Sequence, residues 1–80
     1  MTIEKPPAPI TLDYEIAKDL IDTKLRLLRN EVAMILDRWN EPSAEIMIRK
    51  ARSGSLPEAE HDAIVLTNLL ERINEFENLL

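Results

Sequence analysis

Eighty residues are room for one small domain, and fifteen Asp and Glu against ten Lys and Arg give a net charge of -5. So acidic a chain is a poor electrostatic match for nucleic acid or an anionic membrane face, while 45% hydrophobic residues are too many for disorder throughout. One glycine argues against a sheet protein, and the lack of cysteine excludes a disulfide scaffold, a thiolate zinc site and a thiol nucleophile. No apolar run approaches the ~18 residues of a membrane span. The first residues lack the basic start and apolar stretch of a secretory signal. The expectation is a cytoplasmic helical protein with no membrane partner.

Residues 1–10 read as an extended tail. Lys5-Pro6-Pro7-Ala8-Pro9 cannot be helix interior, because three prolines fix φ and remove three amide donors. The simpler reading is a solvated leader; the alternative is a docking arm for a partner's groove. From 11 to 80 the chain reads as a single helical domain.

Helix 1 is predicted over about 12–40. Thr11 or Asp13 can cap it, Asp13 and Glu15 suit the positive end of its dipole, and Pro42 disfavours helical geometry at Glu41. Helix 2 is predicted over about 43–53, with Pro42 suited to its first turn and Gly54 placed for a left-handed cap. Ala44, Met47, Ile48 and Ala51 form its buried stripe, from which Ile46 faces away. Arg49, Lys50 and Arg52 crowd its last turn, where they compensate the helix dipole. Helix 3 is predicted over about 56–80, opened by a capping box in which Ser55 and Glu58 each satisfy an amide of the other's residue.

Helix 1 carries Ile21, Leu25, Leu28, Val32, Ile35 and Trp39 at steps of four and three, which is a heptad seam of the coiled-coil kind. Leu20, Leu27 and Met34 form a second line beside it. Together the two lines span an arc of roughly 200°, and one packing neighbour needs only about half of that. Helix 3 repeats the pattern with Ala63, Leu66, Leu70 and Ile73, widened by Val65, Leu69, Phe76 and Leu80. Trp39 is expected in the core with its indole N–H on a carbonyl at the helix end, and Tyr14 is expected to pack at the other end of the seam.

At about 1.5 Å per residue the three helices would be roughly 43, 18 and 37 Å long, against a diameter of about 30 Å for a compact chain of this size. No monomer buries all of that apolar surface. The expected architecture is therefore all-α, long-short-long. Helices 1 and 3 form a helical hairpin that pairs with a second copy into a four-helix-bundle-like dimer. Ile21, Leu25, Leu28, Val32, Ile35 and Trp39, with Leu66, Leu70 and Ile73, are the expected interface residues.

Polar residues on the apolar faces carry the functional alternatives. Lys24, Glu31 and Arg38 recur at heptad spacing with alternating sign, which suits flank charges that set partner and register. Glu58 and His61 form Glu-x-x-His, a spacing that puts both side chains on one helix face. With Glu31 as a third ligand, this resembles half of a ferritin-like carboxylate bundle that is completed by oligomerising. The resemblance implies an oligomeric metal-binding oxidoreductase using Glu31, Glu58 and His61. A ferritin-like site needs a second Glu-x-x-His, which this chain would have to take from its symmetry mate. Glu58 as a helix cap and His61 as a solvent-edge histidine account for the same residues without metal. A further alternative is a transcriptional regulator using Arg49, Lys50 and Arg52, against which the net charge counts. One histidine, no cysteine and no glycine-rich loop leave little material for nucleophilic or nucleotide chemistry. A small oligomerisation and protein-interaction module, with no catalytic activity or cofactor of its own, is the expected function.

Overall fold

The computed structural model describes residues 13–79. The proline-rich tail expected at 1–10 and Leu80 lie outside the described residues. Among the described residues all regular structure is helical: α1 (Tyr14–Trp39), α2 (Ala44–Ser53), a single 3-10 turn (Pro57–Ala59) and α3 (Glu60–Glu77). None of these helices is long and apolar enough to cross a membrane.

Local chemistry sets most of the boundaries. The Asp13 carboxylate accepts the Glu15 amide proton at 3.2 Å and starts α1. Asn40 ends it in the left-handed conformation at φ 54. The Asn40 and Glu41 amides turn back to the Asp37 and Leu36 carbonyls, which is the Schellman arrangement. Pro42 lies ahead of α2, not in its first turn, and the cap is Ser43, whose hydroxyl accepts the Ile46 amide proton at 3.2 Å. Gly54 takes φ 84 and closes α2 as expected.

The start of α3 departs from expectation. The Ser55 hydroxyl pairs with that of Ser53 at 2.9 Å and caps nothing; Glu58 lies in the 3-10 turn, and α3 begins only at Glu60. The cause is Leu56. Its side chain packs against the core and its amide donates to the Lys50 carbonyl at 3.2 Å, so the chain is pinned one residue after the serine. Pro57 then opens a tight turn in which the Ala59 amide returns to the Leu56 carbonyl.

α1 and α3 run antiparallel. Arg38 pairs with Asp62 at 2.7 Å, and nine residues earlier Arg29 pairs with Glu77, fifteen residues later. The hairpin core is Leu28, Ile35, Leu66 and Leu69, closed at one end by Met47 of α2 and by Ala59. Met47 and Leu66 have no exposed surface, and burying side chains of that size contributes about 1.5–3 kcal/mol each. Among the described residues no polar or charged residue is buried.

Because α3 ends beside Arg29, it is too short to cover α1. From Tyr14 to about Leu20, roughly 10 Å at 1.5 Å per residue, α1 projects beyond the hairpin. Tyr14, on the expected seam, is 61% exposed for that reason and does not pack.

Candidate interaction surface

The main seam of α1 is used inside the chain. Leu25, Leu28 and Ile35, with Leu66 of α3, are buried, while Ile21, Val32, Trp39, Leu70 and Ile73 are half-buried. These nine are the residues expected at the interface between copies, and the hairpin itself takes up most of their surface. Leu69, expected only to widen the α3 seam, lies deeper than Leu70 or Ile73. What remains open is the second line. Leu20, Leu27 and Met34 are 60%, 53% and 64% exposed, and Ile16, one turn ahead of Leu20, is 52% exposed. At about 100° per residue these four fall within an arc of roughly 40°, about a quarter turn from Leu28.

Packing explains why this side is open. Around α3, Ala63 and Thr67 lie to one side of Leu66, and with Ile48, Ala51 and Arg52 of α2 they line a groove of about 330 Å³. Asp62 and Val65 lie to the other side of Leu66. They share a groove of about 220 Å³ with Glu31, Met34, Ile35 and Arg38 of α1. α2 therefore covers one side of the hairpin. The exposed stripe of α1 and the Met34–Val65 groove occupy the other.

A polar junction anchors one end of this open side. The Trp39 indole N–H donates to Asp62 Oδ2 at 2.8 Å, and Arg38 binds the same oxygen at 2.7 Å. The indole thus reaches a carboxylate, not the helix-end carbonyl expected for it. The indole hydrogen bond, and then the Arg38 guanidinium, hold the Asp62 carboxyl below the usual carboxylate range. No sequence pattern points to Asp62 as the partner, because it lies 23 residues from Trp39 along the chain.

The charges along the stripe are differently placed. Lys24 is half-buried and Glu31 exposed, and neither has an ion-pair partner among the described residues. Arg38, the third of the heptad-spaced charges, is committed to Asp62.

The remaining candidates are scattered. Glu31 lines the α1–α3 groove, Glu58 sits in the 3-10 turn, and His61 is exposed in the first turn of α3. Among the described residues no three His, Asp or Glu side chains gather where a metal ion could be held. Of the basic cluster on α2, Lys50 grips Glu41 with contacts of 3.0 and 3.1 Å and ties α2 to the preceding turn. Arg49 and Arg52 stay exposed beside Ile48. Ile46, expected to face away from the packed stripe, is half-buried.

No protein-family model, curated protein or solved structure matches the chain.

Proposed function

We propose that the chain is a small helical oligomerisation and protein-interaction module, without catalytic activity of its own, whose open α1 face is covered by a second copy in a four-helix-bundle-like dimer. The exposed heptad line Leu20, Leu27 and Met34, extended by Ile16, carries this reading. Four large apolar side chains more than half exposed in one narrow stripe are unusual on a monomer and mark an interaction site.

The energetics favour a second copy. Completing the burial of four such side chains is worth on the order of 4–7 kcal/mol per chain. Two chains together reach about 8–14 kcal/mol, comparable to the 4–15 kcal/mol that association costs in lost freedom and side-chain ordering. The outcome is a dimer whose formation depends on concentration. Adaptor, regulator and assembly factor are all roles in which such a module presents its remaining surface to another protein.

Two adjacent leucines supply the test. Leu28 is 3% exposed and belongs to the hairpin, whereas Leu27 is 53% exposed and belongs to the stripe. Sedimentation velocity of the unaltered protein over a range of concentrations should give the mass of two chains at the upper end. Leu27→Asp should keep its helical circular dichroism and sediment as one chain, while Leu28→Asp should lose its fold. A single-chain mass for the unaltered protein at every concentration would overturn the reading.

A further inference from the structure

The two unpartnered charges beside the stripe define how a second copy fits. We propose that it docks antiparallel about a two-fold axis passing beside Leu27, so that Leu20 meets the partner's Met34 and Lys24 meets the partner's Glu31. This rests on the reading of the stripe as a contact between copies, and adds its orientation, register and charge pairing.

Spacing and symmetry carry it. Leu20 and Met34 are seven residues either side of Leu27, so an inverted copy centred there superposes apolar on apolar. Lys24 lies three residues before that centre and Glu31 four residues after it. Their heights on the inverted copies agree to about one residue rise, ~1.5 Å. A two-fold axis perpendicular to the helices brings the same flank of each copy together, and Lys24 and Glu31 are seven residues apart on one flank. Symmetry then makes the contact twice. A parallel dimer brings opposite flanks together. At equal height Lys24 and Glu31 would then face Thr23 and Asn30 of the partner, and the nearest counter-charges on that flank, Asp19 and Arg26, would lie five residues away along the helix, ~7.5 Å against ~1.5 Å.

The end of α3 points the same way. The Arg29–Glu77 pair places the last turn of α3 beside the proposed axis. Centred on Leu27, the dimer lays the bare segment from Tyr14 to Leu20 of each copy along the partner's α1 between about 34 and 40, the half that carries its own hairpin. A parallel dimer sets one bare segment against the other and leaves both without α3.

The chain has no cysteine, so single introduced thiols report the orientation directly. Leu20→Cys and Met34→Cys would be oxidised separately and as an equimolar mixture, with Leu27→Cys alone as the axial control. The expected result is cross-linking of the mixture and of Leu27→Cys, with little from Leu20→Cys or Met34→Cys alone. Efficient self-linking of Leu20→Cys and of Met34→Cys, with no gain on mixing, would overturn the orientation while leaving the two-copy reading intact. A single-chain mass for the cysteine-free protein would overturn both. For the charge pairs, Lys24→Glu and Glu31→Lys should each weaken self-association about tenfold or more, and the double exchange should bring it back. A double exchange as weak as the single variants would overturn the pairing.

Discussion

The two ends of α1 are held by different physics. Near Trp39 the helix is clamped by Met47 of α2, by Leu66 of α3, and by the junction of Trp39 and Arg38 on Asp62. Near Tyr14 it has a cap from Asp13 and an exposed Lys18–Asp22 pair at 2.9 Å, four residues apart. Caps and pairs of that kind are worth a fraction of a kcal/mol to about 1 kcal/mol each, and short isolated helices are marginal in water. One end is thus held by tertiary burial. The other depends on local interactions within the chain, and it is where the apolar stripe of α1 begins.

Truncation should show the largest contrast. Leu66→Ala removes a side chain with no exposed surface at the clamped end, and should cost about 2–5 kcal/mol, enough to threaten so small a domain. Leu20→Ala at the projecting end starts from a residue that is 60% exposed and should change single-chain stability by about 0.5 kcal/mol or less. Urea unfolding at concentrations low enough to hold the protein as single chains measures both. Equal losses would mean that the projecting segment is packed in solution.

What the sequence displayed of this contrast follows from range. Asp13 and Gly54 were legible because a cap depends on residues within one helical turn. The heptad seam was legible because 3.6-residue periodicity is local as well. Which line of the 200° arc would stay open was not legible: it depends on α2 sitting on one side of the hairpin and on α3 stopping beside Arg29. Both are set by the antiparallel register. The Asp62 junction was hidden for the same reason, since Trp39 and Asp62 meet across 23 residues of sequence. The capping box failed in the opposite direction. Its residue types were right, but Leu56, drawn into the core, displaced the start of α3 by several residues.

The junction gives the intermediate effect, and pH sharpens it. Asp62→Asn keeps an acceptor for the indole but loses the ionic partner of Arg38, at a cost of about 1–2 kcal/mol near pH 7. The folded carboxyl lies below its unfolded value of about 3.9. Its contribution is therefore complete above that value and is lost as pH falls through the folded pKa. Urea midpoints of the two proteins should differ at pH 7 and converge with acidification below about pH 4. A gap that stays constant would assign the loss to packing and not to charge.

The smallest effect tests whether the clamped end also relies on backbone geometry. Gly54 adopts φ 84, and a Cβ built there meets nothing within 4 Å. Gly54→Ala therefore introduces no clash, only the left-handed penalty of an L-residue, about 1 kcal/mol. Asn40 occupies the same region at φ 54, so Asn40→Gly should relieve a smaller version of that strain and raise stability by a few tenths of a kcal/mol. The two turns lie on either side of α2, and neither residue belongs to the apolar core, so the changes should add. The same pair should leave self-association untouched at equal folded concentration, because the proposed contact lies on the opposite side of the hairpin. A change in dimer affinity on Gly54→Ala would mean that α2 takes part in the contact, and that the division of α1 into a clamped end and a docking end is drawn in the wrong place.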